Sequence, residues 1–210
     1  MNSRILKSVF AFSILVLSLT TNAQVSLNVK HGIVASTFSK LGNLSDNNNV
    51  SLSYTAGFFA VIPTSQYFAI QPEINYIRKG RFEKETSMGV SNRIYSSANY
   101  LQIPLMIRYT APSVFESPNT KLFLNTGIYD GILLHSERRI KIGDELAGKD
   151  QTSDYKGNDW GLIFGGGVQF PFRQFLVQFD LRYDMGLTKI TNQNDNYTTK
   201  ALSLTMGVKF

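Results

Sequence analysis

From Phe175 to Leu187 apolar and polar residues alternate without a break. Phe175, Val177, Phe179, Leu181, Tyr183, Met185 and Leu187 fall on one parity, and Gln178, Asp180, Arg182, Asp184 and Gly186 on the other. A period of two held over that length predicts a strand with one apolar face, and helical spacing cannot reproduce it. The pattern returns in the final segment, where Leu202, Leu204, Met206, Val208 and Phe210 oppose Ala201, Ser203, Thr205, Gly207 and Lys209. Upstream, Trp160, Leu162, Phe164, Val168 and Phe170 oppose Gly161, Gly165, Gly167 and Gln169, and Leu122, Leu124, Ile128, Ile132 and Leu134 oppose Asn125, Gly127, Gly131 and His135. Further back, Leu101, Ile103, Leu105, Ile107 and Tyr109 oppose Gln102, Pro104 and Arg108, and Phe68, Ile70, Ile74 and Tyr76 oppose Gln71, Glu73 and Asn75. Two shorter alternations, near 25–37 (Val25, Leu27 and Val29 on the apolar face) and 50–62 (Tyr54, Phe58 and Ile62), bring the count to eight.

The connections alternate in length. Those near 63–66 and 171–174 are tight and punctuated by Pro63 and Pro171, and 111–120 is moderate. The others, near 38–49, 80–98, 135–157 and 188–197, read as long polar loops. Short turns at one rim and long loops at the other match a bacterial outer-membrane barrel.

A soluble sandwich or lipocalin-like barrel would also alternate, with its polar face in water. Here the polar faces are small and Gly-rich yet hold Glu73, Arg108, Asp180, Arg182 and Asp184, as a crowded interior that must pair its charges requires. Aromatics bound the apolar faces at both ends: Phe68, Tyr109, Phe170, Phe175 and Phe210 towards the short turns, and Tyr76, Trp160 and Tyr183 towards the long loops. Amphipathic rings favour membrane interfaces. The prediction is an all-β fold, an eight-stranded antiparallel up-and-down transmembrane β-barrel.

The ends agree with export. Arg4 and Lys7 precede an apolar stretch from Ser8 to Leu19 and the small-residue site Thr21, Asn22, Ala23. This reads as a cleaved signal peptide over residues 1–23, too short for a membrane anchor of about 20 apolar residues, with the barrel domain over 24–210. Arg4 and Lys7 leave with it, so the formal charge falls from +6 to +4. No clustered basic stripe of a nucleic-acid binder is present, so no nucleic-acid partner is expected. With no cysteine, a lipid-anchored N-terminus, a disulfide framework and a thiolate metal site are all excluded. A terminal Phe on an apolar-alternating strand resembles the signal read by outer-membrane assembly machinery, an expected partner.

The segment from Tyr100 to Tyr109, Tyr-Leu-Gln-Ile-Pro-Leu-Met-Ile-Arg-Tyr, resembles the PorT-like family of outer-membrane β-barrel proteins of Bacteroidetes. Gln71-Pro72-Glu73 ahead of Arg78-Lys79-Gly80, the run Gly165 to Gly167, and the stretch Arg182 to Ile190 fit as well. The resemblance implies a porin-like barrel domain in the bacterial outer membrane. The founding member is linked to protein secretion. Asp130 departs from the pattern: it falls on the outward parity, which predicts either a bulge or a position already above the lipid.

The charged interior set Glu73, Arg108, Asp180, Arg182 and Asp184 reads as an ion-pair network filling the lumen, because an eight-stranded barrel is just wide enough for side chains. A proton or ion relay is the alternative. No catalytic, cofactor-binding or metal site is expected. His31 falls outward and His135 is followed directly by Ser136, but neighbours on a strand point to opposite faces. Gly165 to Gly167 lacks the following helix a phosphate cradle needs. The loop cations Arg78, Lys79, Arg81, Lys84, Arg93, Arg138, Arg139 and Lys141 would lie near the outer leaflet, where glycolipid (lipopolysaccharide) phosphates are possible partners. Glu83, Glu85, Glu137, Asp144 and Glu145 are interspersed and leave an ordinary solvated loop as the alternative. The sequence therefore predicts a non-enzymatic integral outer-membrane protein whose long extracellular loops are its contact surface for a protein partner. A narrow pore or secretion-associated component, and a lipid-directed enzyme, are the competing functions.

Overall fold

The computed structural model describes residues 26–40, 49–87, 90–112, 119–142, 145–151, 157–190 and 197–209. The predicted leader over 1–23 and the terminal Phe210 lie outside the described residues. Nine strands follow in order: β1 Ser26–Lys40, β2 Asn49–Pro63, β3 Phe68–Ser87, β4 Val90–Thr110, β5 Lys121–Ile142, β6 Glu145–Gln151, β7 Asn158–Phe172, β8 Phe175–Gly186 and β9 Tyr197–Lys209. Eight of them form a closed antiparallel barrel. Pairing of β1 with β9, from Asn28↔Lys209 to Lys40↔Tyr197, joins the first strand to the last, and β4 pairs with β5 from Thr110↔Phe123 to Asn92↔Ile142. Closure leaves no sheet edge, the condition for a β-structure to sit in hydrocarbon. β6 stands outside the ring and pairs with the upper part of β5.

The predicted faces are observed. Leu27, Ile33, Ile74, Ile107, Leu124, Ile128, Leu181 and Leu204 are all exposed on the outside. The opposite parity is buried, as in Gln71, Glu73 and Asn75 on β3 and Gln178, Asp180, Arg182 and Asp184 on β8. Tyr54 and Phe58 lie outward as expected, whereas Ile62, of the same parity, is buried at 5% exposure beside the turn. Rings gather near both rims: Phe68 against Tyr109 at 5.3 Å between centroids towards the short turns, and Tyr54 stacked on Tyr76 at 5.6 Å towards the other rim. The 171–174 turn is a two-residue hairpin between Phe172 and Phe175, with Arg173 at φ 56°, the left-handed geometry that such turns need.

Two of the predicted long loops are largely strand. Over 80–98, β3 and β4 stay paired until Ser87↔Val90, and over 135–157, β5 continues to Ile142 and turns back as β6. The physical reason is that alternation of hydropathy reports lipid on one side. Above the membrane both faces meet water or polar groups, so a strand persists there without the signature.

Register corrects two further expectations. Asn99 pairs with His135 and Tyr100 with Leu133, so Leu134 is an extra residue in β5. That bulge turns His135 to the outer side, not the inner one expected, and puts Ser136 inside, 6% exposed. Asp130 causes no bulge: pairing runs unbroken through Ile103↔Asp130 and Asp130↔Trp160. It lies outward beside the Trp160 interface ring, and Asn158 Nδ2 donates to its Oδ1 at 3.4 Å.

Leu204 has lipid-facing neighbours on both sides, Ile33 and Leu181. Replacing Leu204 by Arg is expected to lower unfolding free energy by about 2–4 kcal/mol, the cost of a cation near the bilayer midplane. Urea titration of protein refolded into vesicles measures this, and an unchanged midpoint would place Leu204 away from lipid.

Candidate functional site: a charged lumen

Polar side chains on strands surrounding a space this narrow come close enough to pair with one another. Among the described residues, the buried charges are four cations, Lys30, Lys79, Arg108 and Arg182, and four carboxylates, Glu73, Asp159, Asp180 and Asp184. Their formal charges cancel.

The middle cluster centres on Glu73. Its Oε2 receives Lys30 Nζ, Arg182 Nη1 at 2.8 Å and Asn75 Nδ2 at 2.9 Å, and its Oε1 receives Gln71 Nε2 at 2.7 Å. Arg182 Nε donates to Asp180 Oδ2 at 2.5 Å, its Nη2 forms an ion pair with the same oxygen, and Asn125 Nδ2 adds a bond at 3.3 Å. The guanidinium's planar fork is what lets one side chain bridge two carboxylates. β1, β3, β5 and β8 are thereby tied across the barrel.

A second cluster centres on Lys79. Its ammonium donates to Asp159 Oδ2 at 3.0 Å and to the hydroxyls of Tyr129 and Thr199, both at 3.2 Å, and stands 4.4 Å from the centre of the Tyr129 ring. Asp184 Oδ2 is 3.9 Å away and accepts from Gln102 Nε2 at 2.8 Å. Towards the outer end these polar groups meet an apolar cluster that includes Val34, Phe38, Ile77, Tyr100 and Ile190.

Arg108 occupies the short-turn end without a carboxylate. Its Nη1 donates to Gln71 Oε1 at 3.2 Å and to Gln178 Oε1 at 2.9 Å, its Nη2 donates to Gln169 Oε1 at 2.5 Å, and the guanidinium lies 3.7 Å from the centre of the Phe123 ring. Three amide oxygens and an aromatic face stand in for an anion. A recess of about 180 Å³ opens below, and Arg108, 2% exposed, forms part of its lining.

All five residues picked out from sequence thus point into the lumen, but they do not form one network. Glu73, Arg182 and Asp180 come together, Asp184 belongs to the Lys79 cluster, and Arg108 is held by glutamines. Lys30, Lys79 and Asp159 were missed. Lys30 lies inside the first predicted strand, opposite in parity to Leu27 and Val29, while Asp159 shares the parity of Gly161 and Lys79 that of Glu73 and Asn75, so the inward parity of the first strand and a short extension of the other two point to them. Lys79, assigned to a loop near the outer leaflet, is 1% exposed inside the barrel.

Gly167, opposite Phe123, has no space for a side chain. A Cβ on Gly167 would lie 2.7 Å from Phe123 Cζ and 1.9 Å from the Phe179 carbonyl oxygen, so the lumen at this level has no room for even a methyl group.

Glu73→Gln leaves Lys30 and Arg182 buried around a neutral amide. The expected cost is about 3–5 kcal/mol, the usual effect of removing one partner of a buried ion pair. Unfolding followed by the fluorescence of the single tryptophan would measure it, and adding Lys30→Met should recover part of the loss. Wild-type stability in Glu73→Gln would mean the cluster is not holding the strands together.

The family model described as outer membrane protein beta-barrel domain matches residues 20–192 of the chain. Solved structures similar to it include the attachment invasion locus protein Ail of Yersinia pestis in complex with the heparin analogue sucrose octasulfate, 13% identical, covering 89% of this chain and 99% of that one at a TM-score of 0.41. Neisserial surface protein A is 15% identical, with 88% and 97% covered and a TM-score of 0.45. The outer membrane protein OprG of Pseudomonas aeruginosa is 10% identical, with 88% and 95% covered and a TM-score of 0.44. No curated protein sequence matches the chain.

Proposed function

The chain belongs to the outer membrane protein beta-barrel domain family, an integral outer-membrane protein, and on that footing we propose that it is a non-enzymatic barrel with a closed lumen whose strands above the membrane serve as a contact surface. The observation that carries the closed-lumen reading is the sharing of buried charge across the barrel. Glu73 on β3 binds Lys30 on β1 and Arg182 on β8, and Lys79 on β3 binds Asp159 on β7. An ion entering this space would have to break bonds that neutralise buried charges. The recess at the short-turn end stops against Arg108, and the far end carries the apolar cluster around Phe38 and Tyr100.

The non-enzymatic reading is supported by the placement of the two histidines. His31 faces outward on β1 and is exposed between the lipid-facing Val29 and Ile33, while His135 and Ser136 lie on opposite sides of β5. The Tyr100 to Tyr109 motif supports a PorT-like relationship among barrels of Bacteroidetes, and the leader expected over 1–23 supports export. The contact surface consists of the β3–β4 hairpin and the β5–β6 hairpin, which β4–β5 pairing joins into a single wall as far as Asn92↔Ile142. A paired wall offers a partner a defined shape at lower ordering cost than free loops.

Purified protein in planar lipid bilayers tests the lumen. The expected result is an absence of stable stepwise conductance, and discrete, reproducible steps from the wild-type protein would overturn the closed reading in favour of a narrow pore.

A further inference from the structure

Register sorts the charges of the upper wall by face. Residues directly opposite in an antiparallel ladder share a side, so pairing alone assigns them. Phe82, Tyr95, Arg139 and Lys149 form one row across β3, β4, β5 and β6, and Lys84, Arg93 and Lys141 form the next. Arg78 lies on the same outer side lower on β3, two residues beyond Tyr76 of the interface stack. The acidic residues that looked interspersed in sequence divide differently. Glu83 alternates onto the other face, where it binds Arg81 at 2.7 Å, and Glu145, paired with Ile142, is on that face too. Among the described residues, Glu137 is the acid that shares the basic side of this wall, against the five cations of these rows and Arg78. The neighbouring Arg139 guanidinium, by its hydrogen bond, holds the Glu137 carboxyl below the ordinary carboxylate range. That contact uses Arg139 Nε, one of five donors on the group.

This basic side borders a cavity of about 650 Å³ on the outer wall. It exists because β2 and β3 part there: their pairing shifts by one residue between Val50↔Arg81 and Thr55↔Ile77. Ser36 of β1 takes over, accepting from Gly80 N at 2.8 Å. The cavity's lining combines Arg78, Arg139 and Lys141 with the apolar or aromatic Leu52, Tyr54 and Phe82. Leu52 and Tyr54 are 78% and 52% exposed on the side that carries the lipid-facing residues further down β2.

We propose that this cavity binds the phosphorylated headgroup of an outer-leaflet glycolipid, with Arg78, Arg139 and Lys141 on phosphate and Leu52, Tyr54 and Phe82 against the first part of its acyl chains. Charge complementarity identifies the phosphate. The position, continuous with the apolar band and just above the Tyr54–Tyr76 stack, identifies a lipid as its carrier. The inference rests on the outer-membrane placement and is independent of whether the lumen conducts.

The probe is bis-phosphorylated lipid A added to the purified full-length protein in detergent, with bound lipid counted by native mass spectrometry. The expected result is retention of bis-phosphorylated lipid A and at least about tenfold weaker retention of the dephosphorylated form, the scale of losing one strong charge-assisted contact. Arg78→Gln/Arg139→Gln/Lys141→Gln should lose retention to the same degree, and Lys121→Gln/Arg173→Gln, at the opposite rim, should keep it. Each variant is first checked for the heat-dependent gel shift of a closed barrel. Should the triple variant not fold, Leu52→Asp keeps the cations and removes the acyl contact, and it too should weaken retention. Equal retention of the two lipid A forms, or of triple variant and wild type, would overturn the proposal. So would equal binding of a soluble phosphorylated disaccharide, because the site would then recognise phosphate without the lipid.

Discussion

The carboxylate of Glu73 is buried in the lumen, and the arrangement around it follows from that. Eight strands closed on themselves leave a space that side chains fill, so every charge placed inside must find its partners among the other inward side chains. Glu73 answers with four donors from β1, β3 and β8. Arg182 then needs a second anion and finds Asp180. Where a cation lacks a carboxylate, as Arg108 does, three glutamine oxygens and the Phe123 face converge on it. Such pairs add little net stability over apolar packing, but each forbids the registers that would leave a charge alone. A slip of one residue between β8 and its neighbours would carry Asp180, Arg182 and Asp184 into lipid together.

The lipid-spanning half of the fold was legible because the bilayer imposes one rule on every strand. Outward positions must be apolar, and Leu181, Leu204 and Ile107 announce their parity without any knowledge of their neighbours. Inward positions follow by elimination, which is how Glu73, Arg108, Asp180, Arg182 and Asp184 were found. The clusters were not legible in the same way. Whether Asp184 meets Arg182 or Lys79 depends on how far the strands are staggered around the ring, and stagger is a property of pairs of strands. Lys79 shows the limit: it sits in the run Arg78-Lys79-Gly80-Arg81, where composition reads as loop, yet its parity with Glu73 carries it into the lumen.

Above the bilayer the rule disappears, and with it the alternation that marks a strand. The wall of β3, β4, β5 and β6 is as fully paired as the barrel below it, but neither of its faces is required to be apolar. Its order is instead one of charge. A sequence in which Lys, Arg and Glu alternate looks neutral on average, and becomes a basic face and an acidic-containing one only when the backbone period of two separates them. The bulge at Leu134 matters here, since one extra residue decides that Glu137, Arg139 and Lys141 face outward while Ser136 and Arg138 share the side of Ala98 and Ser96.

These two regimes divide the molecule's work. Inside the ring, among the described residues, four buried cations balance four buried carboxylates, with Lys30, Lys79 and Arg182 on carboxylates and Arg108 on glutamine oxygens. On the outer wall the cations outnumber the acid beside them, so their field extends to whatever lies alongside, which in the proposed site is a lipid phosphate. The same register produces both outcomes, because the strand that buries Lys79 turns Arg78 outward by the next bond in the chain. Filling the lumen with paired charge and charging the outer wall are therefore linked by the pleat itself, and a one-residue insertion between Tyr76 and Arg78 would undo both at once.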